Sequence, residues 1–355
     1  MTTGSFAGLR PAATVINYNT ASLTARCVQS LIDAGFERIW VLDNASSHAD
    51  RTALEKHLQP HAPRCMLVLS DRNLGFAAGS NLLIEHALDE PDMTHVFLLN
   101  SDAIVTADGI TALCGAVRNS SADLAGGRVH RLECAADGSE VYTDEAESLG
   151  IALYKTLLAS NRKHREEAFL GPTGGCALLS RDVLESLRNA HGYVFDPDYF
   201  CYAEDTDLCI RAVLLGHSAT YVDTVVAYHE GQASSGGGFN DFVYYHGIRN
   251  SVWTVIKSVP GTIIARNLHW VLLLHAGIIV RHTLRSKFRL TVRLYYDAFR
   301  VLPALLGKRR AIRRTRRADA VAELTKTITP WFYEPGYLRM AVRDLFALRW
   351  LRKQQ

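Results

Sequence analysis

Residues 96–105 of this 355-residue chain read Val-Phe-Leu-Leu-Asn-Ser-Asp-Ala-Ile-Val. An unbroken apolar run with no polar face describes a strand buried on both sides, and such strands belong to mostly parallel sheets covered by helices. The polar stretch Asn100-Ser101-Asp102 would then emerge at the strand's carboxyl end. That is the side on which open α/β sheets bind ligands. A carboxylate there suits a divalent cation holding a phosphate-bearing ligand. It also suits a polar turn closing a strand, and the segment alone leaves both readings open.

The first 130 residues repeat the strand pattern. Strands are predicted at Ala12–Tyr18, Arg38–Leu42 and Cys65–Leu69, and helices at Ser22–Ala34, Asp50–Leu58 and Ala77–Leu88, ahead of the strand at Val96. This alternation indicates βαβ units and an α/β fold with a mostly parallel sheet. Residues 131–168 are polar and irregular, and no firm elements are predicted there. Beyond them, Gly174-Gly175 precedes an apolar run and a helix start at Arg181. Glu204–Leu215 reads as a helix closed by Gly216, and Ala219–Val222 and Val225–Tyr228 as short strands. Ser234-Ser235-Gly236-Gly237-Gly238 reads as a flexible link between a body, residues 1–235, and a mainly helical region, residues 236–355.

The net charge of +3 conceals an asymmetry that supports this division. Residues 1–240 hold 17 Lys and Arg against 30 Asp and Glu, whereas residues 241–355 hold 22 against 6. Within the basic region, Leu268–Val280 is apolar and bracketed by Arg266 and Arg281. It is about 13 residues long, short of the roughly 18–20 needed to span a bilayer. Lys308-Arg309-Arg310 and Arg313-Arg314-Thr315-Arg316-Arg317 follow. Apolar helices flanked by dense Arg suit a helix lying in the membrane interface and attracted to anionic lipid. The other reading is a helical subdomain packed on the body with a solvated basic face. No nucleic-acid partner is expected, because aromatic residues are not interleaved with the Arg run. The seven cysteines are scattered and lack Cys-x-x-Cys spacing, so reduced cytosolic thiols are expected and not zinc or a disulfide framework. Met1–Ala13 has no apolar signal core, so no secretion is expected.

Several polar clusters follow predicted strands. The amides and ring of Asn17-Tyr18-Asn19 could line a base pocket or close a turn. Asp43 could accept the imide N–H of uracil or thymine, or act as a turn or cap residue. Arg72 to Asn81 is a Gly-containing loop entering a helix, whose free N–H groups bind phosphate. Its glycine spacing is not a dinucleotide fingerprint. Tyr202-Ala203-Glu204-Asp205-Thr206-Asp207 sets three carboxylates at a helix start, which the helix dipole favours in any case. Asp207 and Arg211 are spaced to pair, while Glu204 or Asp205 could be a general base. His229 could ligate a metal through a neutral imidazole nitrogen, or be structural.

Taken in order, the segments Asn-Tyr-Asn, Asp-Asn-Ala-Ser, Asn-Leu-Gly-Phe-Ala-Ala, Leu-Asn-Ser-Asp, Gly-Gly-Cys-Ala-Leu, Glu-Asp-Thr-Asp-Leu-Cys-Ile-Arg and then His229 resemble the family 2 glycosyltransferases of the GT-A fold. That inverting group includes bacterial rhamnosyltransferases, and the resemblance covers roughly residues 12–260. It implies a Rossmann-like, mostly parallel sheet flanked by helices. It also implies a nucleotide-sugar donor, with dTDP-rhamnose the first candidate and a UDP-sugar the second, and a divalent cation, Mg or Mn. By resemblance Asp43 reads the pyrimidine with Tyr18 and Asn19 beside it, and Asn73, Gly75 and Asn81 lie near the nucleotide and donor. Asp102 matches the last Asp of the family's Asp-x-Asp metal motif, with Asn100 replacing the first and Ser101 between them, and His229 matches the downstream metal ligand. Asp205 matches the catalytic base, with Glu204 the alternative. Gly174 and Gly175 match an acceptor-side floor, and Tyr244, Tyr245, Arg249 and Asn250 resemble an aromatic and Arg-Asn segment after the catalytic domain. The acceptor implied is a glycan or lipid-linked glycan at the inner face of the plasma membrane. Two alternatives stand beside this reading. One is a sugar nucleotidyltransferase, whose Gly-rich, basic loop after the first strand is missing here; the other is a non-catalytic membrane-surface scaffold keeping the fold.

Overall fold

The computed structural model describes residues 6, 8–135, 139–231, 240–337, 339 and 343. In chain order the elements of the body are β1 (Pro11–Asn17), α1 (Ala21–Asp33), β2 (Ile39–Asn44), α2 (His48–Leu58), β3 (Cys65–Ser70), α3 (Gly75–Leu88), β4 (His95–Asn100), β5 (Ala103–Val105) and α4 (Ala107–Ser120). There follow β6 (Leu124–Cys134), β7 (Glu140–Ser148), β8 (Ile151–Tyr154), β9 (Ala159–Asn161), β10 (Cys176–Ser180), α5 (Arg181–His191), α6 (Glu204–Leu215) and β11 (Ala219–His229). The basic region contributes α7 (Asp241–Ser258), α8 (Gly261–Leu284), α9 (Phe288–Arg300), α10 (Leu302–Thr315), α11 (Ala320–Lys326) and β12 (Ile328–Thr329).

Nine strands form one sheet in the order β3-β2-β1-β4-β10-β6-β11-β5, with β7 added on β6. The first four are parallel. From β4 onward the pairing is mixed, with β10 antiparallel to both β4 and β6. The apolar run of β4 is buried on both faces, as its sequence requires. Val96 and Leu98 enter the hydrophobic core on one side of the sheet, and Phe97 and Leu99 enter the core on the other. This is the two-residue period of a strand with no wet face. The order reverses between β1 and β4, and the registers set Asn17 beside Asp43 and Ile16 beside Asn100. The polar ends of three strands therefore share one edge at the switch point, where such sheets leave a crevice.

The polar stretch after residue 131 is more ordered than its composition suggests. β7 is a polar strand with no fully buried residue before Ser148, held on β6 by backbone pairing and not by an apolar face. β8 and β9 form a second small sheet, completed by β12 from far along the chain. The two short strands expected at 219–228 are one strand, β11, with register shifts between Tyr221, Val225 and Ala227. A bulge inserts an unpaired residue and breaks the alternation from which a strand is read.

In the basic region, α8 is 24 residues long and contains Arg266 and Arg281 within it, so the 13-residue apolar core underestimates it. By length and composition it is long and apolar enough to cross a membrane, with a mean hydropathy of 1.6 over its best window. The region is nonetheless joined to the body. α7, α10 and α11 all pack on α6, α10 also packs on α5, and β12 pairs with β8. The predicted link at 234–238, and with it the boundary at 235, lies outside the described residues. The six described cysteine side chains are free thiols.

Phe97 has no exposed surface and stacks on Phe36 with ring centroids 5.5 Å apart. Phe97→Ala should lower the unfolding free energy in urea by about 3–5 kcal/mol, the range for truncating a buried aromatic.

Candidate functional site

At the carboxyl edge of β1 and β2 the polar side chains bind chiefly to one another. Asp43 is fully buried. Its Oδ1 accepts from Asn17 Nδ2 at 3.2 Å, and its Oδ2 from Arg51 Nε at 2.9 Å. Asn17 Nδ2 also donates to Asp50 Oδ2 at 2.8 Å. Asn19, at φ +56°, accepts from the Ser47 N–H at 2.8 Å, whereas Tyr18 beside it stays 37% exposed. One strand over, Asn44 fastens the loop ahead of α3. It donates to Asn73 Oδ1 at 3.0 Å and accepts from the Leu74 N–H at 2.8 Å, and Asn73 Oδ1 takes the Gly75 N–H at 2.8 Å. Asn44 was not singled out in the sequence, where it reads as one more turn residue. Asn81 lies on α3, and both ends of its amide are used by the Phe195 backbone, at 2.7 and 2.8 Å.

The second group forms where β11 pairs with β5, setting His229 opposite Ala103 and therefore against Asp102. His229 Nε2 lies 3.0 Å from Asp102 Oδ1, and its Nδ1 lies 2.9 Å from Glu147 Oε2 on β7. Asn100 Nδ2 is 3.3 Å from the same Nε2. Ser101 Oγ is 3.4 Å from Thr20 Oγ1. Burial pulls the His229 pKa down, but the hydrogen bonds to Asp102 and Glu147 outweigh it and hold the pKa up at about 10. Among the described residues no group of three or more His, Cys, Asp or Glu could hold an ion by itself. The donor set still fits a nucleotide-borne cation. Asp102 offers a carboxylate oxygen, and His229 Nε2 would offer a lone pair once a cation displaces the proton it shares with Asp102, leaving other positions to phosphate oxygens. Glu147 holds the ring from behind, as the carboxylate partners of metal-ligating histidines do. Glu147 was invisible in the sequence because it sits in the polar stretch where no element was predicted.

The third group is the start of α6. Phe200, Tyr202 and Ala203 precede it at φ +65°, +69° and +65°. Ala203, at ψ +1°, is in left-handed backbone, which costs about 1–2 kcal/mol for a non-glycine residue, and Phe200, at ψ −64°, centres a strained γ-turn closed by the Cys201 N–H on the Tyr199 carbonyl at 2.8 Å. Gly75, itself at φ +70°, lies so close that a Cβ there would stand 2.5 Å from the Phe200 carbonyl oxygen. Asp205 Oδ2 accepts from the Gly174 N–H at 3.1 Å and Oδ1 from the Thr206 N–H at 2.6 Å. Burial raises the Asp205 pKa, and these backbone N–H groups offset only part of the rise. Glu204 is 6% exposed, and its Oε2 has no hydrogen-bond partner. Burial, then the charge of Asp205, pushes its pKa well above the usual range.

Gly174 and Gly175 connect the second and third groups. A Cβ on Gly174 would stand 3.1 Å from the Phe76 ring and 3.4 Å from Asp205 Cβ, and one on Gly175 would stand 2.7 Å from Asn100 Nδ2. A side chain at either position would thus meet this chain's own side chains. The two residues bring Asp205 and the Asn100–His229 group to the two sides of one dipeptide.

Behind Asp205, α6 is held by charge. Asp207, Arg211 and Lys257 have no exposed surface. Arg211 Nε lies 2.7 Å from Asp207 Oδ2, in the spacing expected from sequence. Lys257 Nζ, on α7, lies 3.0 Å from Asp207 Oδ2 and 2.6 Å from Asp196 Oδ2, while Lys308, on α10, reaches Asp196 Oδ1 at 2.6 Å. Burial opposes ionisation of Asp207, but Arg211 and Lys257 outweigh it and hold the carboxyl well below its usual range; Asp196 is likewise depressed.

Residues 13–188 match the sequence model of the family described as Glycosyl transferase family 2. Comparison with curated proteins gives no significant match. Among solved structures, the chain is similar to GalNAc-T7 crystallised with UDP, GalNAc and Mn2+, at a TM-score of 0.52 and 13% identity over 70% of this chain and 48% of that one. It is also similar to S. aureus TarS. The match to TarS 1–349 has a TM-score of 0.50 and 14% identity over 90% of this chain and 92% of that one. The match to the longer TarS chain has a TM-score of 0.55 and 13% identity over 90% and 54%. The chain thus spans about half the length of GalNAc-T7 and of the longer TarS chain. At this identity the structures establish a GT-A-like fold. The support for a glycosyltransferase comes from the family match over residues 13–188.

The charge cluster predicts an acid-sensitive stability. Asp207 and Asp196 titrate below their unfolded values, so their contribution is complete above about pH 4 and is lost as pH falls through the depressed pKa values. Lys257→Met should lower stability near pH 7 by about 3–5 kcal/mol. It should also flatten the acid limb, because Asp207 returns toward its ordinary pKa. Urea denaturation at a series of pH values checks both.

Proposed function

We propose that the chain, with its glycosyltransferase family 2 domain over residues 13–188, is an inverting glycosyltransferase. It would move a sugar from a pyrimidine nucleoside-diphosphate donor to a hydroxyl of a glycan or lipid-linked glycan. The observation that carries this reading is the Gly174-Gly175 dipeptide, which sets the half-buried carboxylate of Asp205 on one side and the Asn100–Asp102–His229 group on the other.

In this reading the acceptor hydroxyl lies against Asp205. Its oxygen bonds to the sugar C1 as the bond from C1 to the diphosphate oxygen breaks. The diphosphate leaves with the electron pair, and the hydroxyl proton passes to Asp205. Attack opposite the leaving group inverts C1 through an oxocarbenium-like transition state. The backbone N–H groups of Gly174 and Thr206 fix the carboxylate, and its burial-raised pKa strengthens it as a base. Glu204 is a poorer candidate, since its carboxyl is buried, where Asp205 is partly exposed, and no N–H group fixes its Oε2. Asp102 and His229 are the residues that would hold a divalent cation, Mg or Mn, which when bound supplies positive charge for the departing diphosphate. Tyr18, exposed at the edge of β1, and Asp43 behind it would line the base. dTDP-rhamnose is the first donor to test and a UDP-sugar the second; the GalNAc-T7 neighbour carries UDP and Mn2+.

Thermal shifts with UDP and dTDP plus Mn2+, and release of those nucleotides in the presence of membrane extract, test the reading. Asp205→Asn should keep the nucleotide-dependent shift while losing on the order of 10²–10⁴ in rate. Asp102→Ala should lose the Mn2+-dependent shift and turnover together. Near-normal turnover in the first variant would move the base to Glu204; pyrophosphate formed from a nucleoside triphosphate would point to a nucleotidyltransferase.

The basic region would place this chemistry on the cytoplasmic face of a membrane. Phe288, Val292, Tyr296 and Phe299 recur along one stripe of α9, and each is half or more exposed, as are Leu272, Leu273 and Val280 on α8. The stripe lies opposite the buried Thr291, Leu294 and Ala298, beside exposed Arg293 and Arg300. Both ends of α8 stay on α7: it begins just after that helix, and near its far end His282 stacks on Tyr244 at 3.8 Å. That supports lying in the interface over crossing it. The protein should sediment with phosphatidylglycerol-containing vesicles and not with phosphatidylcholine alone, and Tyr296→Asp with Phe299→Asp should abolish this. Sedimentation indifferent to anionic lipid would overturn the reading.

A further inference from the structure

Asn250 lies on α7, outside the residues matched by the family model, and has no exposed surface. Its Oδ1 accepts from Arg249 Nε at 2.9 Å, which turns the amide nitrogen toward the loop ahead of α6. There Nδ2 lies 2.9 Å from the Tyr199 carbonyl oxygen, 2.7 Å from that of Cys201 and 2.8 Å from that of Tyr202. Two N–H hydrogens thus serve three acceptors, one of them shared. The neighbouring carbonyls are accounted for as well. That of Phe200 accepts from the Ala77 N–H at 3.0 Å, and that of Ala203 from the Asp207 N–H at 3.0 Å in the first turn of α6.

The loop so held contains three non-glycine residues at positive φ, and α6 is preceded by Ala203 as an N-cap without a side-chain hydrogen bond. Nothing in the local sequence prefers this conformation, so it persists because surrounding groups impose it. Asp205 sits in the turn that this loop aims. We infer that Asn250 is a positioning residue for Asp205: its amide collects the loop's carbonyls and thereby sets the direction in which the base enters the site. The inference rests on Asp205 being the base. The groups proposed for the donor, Tyr18, Asp43, Asp102 and His229, belong to other elements, and the loop meets the start of α3 through the Phe200 carbonyl, which the Ala77 N–H holds and Asn250 does not.

Asn250→Ala removes both donors: the Tyr199 carbonyl keeps the Cys201 N–H at 2.8 Å, while those of Cys201 and Tyr202 lose this partner and can relax. With UDP-sugars or dTDP-rhamnose as donor and solubilised membrane extract as acceptor, kcat should fall on the order of 10²-fold, the scale for a misaligned reacting group. KM for the donor and the UDP or dTDP thermal shift with Mn2+ should not change. Deuterium uptake over residues 199–206 should rise. Asn267→Ala, which removes another buried amide on the next helix, should change none of these. Asn250→Ser, restoring one donor, should fall between wild type and Asn250→Ala, and serves if the alanine variant does not fold. Normal kcat with unchanged uptake overturns the inference, and so does failure of both Asn250 variants to fold, which would make the residue a general stabiliser. Asp205→Asn is run in parallel. If it retains turnover, the assignment of the base fails, while the uptake data still judge whether Asn250 holds the loop.

Discussion

The arrangement at the start of α6 depends on a charge buried behind it. Asp207 is one turn from the catalytic candidates and wholly removed from water, in contact with Arg211 and Lys257. A lone carboxylate in that position would be prohibitive. Two cations from two helices make it tenable, and in doing so they tie α6 to α7. Lys308 extends the tie to α10 through Asp196. The chain therefore uses its basic region for more than a surface: two of its lysines complete the interior of the acidic body.

A division of labour runs along the carboxyl edge of the sheet. Most of the amides and carboxylates there are consumed in holding loops. Asn44 holds the turn ahead of α3, Asn81 the approach at Phe195, and Asn17 and Arg51 the carboxylate of Asp43. Few groups remain with surface to offer a ligand, Tyr18 among them. This is the preorganisation expected of a site that must present a small number of polar groups in fixed positions.

Sequence patterns reach as far as local physics does. β1 to β4 and α1 to α3 are legible because apolar runs and helical stretches alternate, and the observed boundaries fall within a few residues of those expected. α6 is legible from its carboxylates and from Gly216 at its end. What escapes is whatever depends on a distant partner. β7 is polar and exists through its bonds to β6, so Glu147, which it delivers to His229, carries no local mark. The reason for glycine at 174 and 175 is likewise tertiary: Phe76, Asp205 and Asn100 occupy the space beside them. Family resemblance groups Asn250 with a recurring segment, but only the folded chain reveals the carbonyls it collects.

The pairing of β12 with β8 has a consequence for how the molecule is made. Synthesis runs from the amino terminus, and domains tend to fold as they emerge. Here the nascent body carries 30 acidic residues against 17 basic ones through residue 240, and its counter-charge is still to be translated. The partner strand of β8, at Ile328–Thr329, leaves the ribosome later still. Until then Asp196 and Asp207 lack their lysines and one edge of β8 lacks its neighbour. The growing chain is thus a polyanion with an open strand, repelled from anionic surfaces, and only the arrival of its last third brings the net charge above zero.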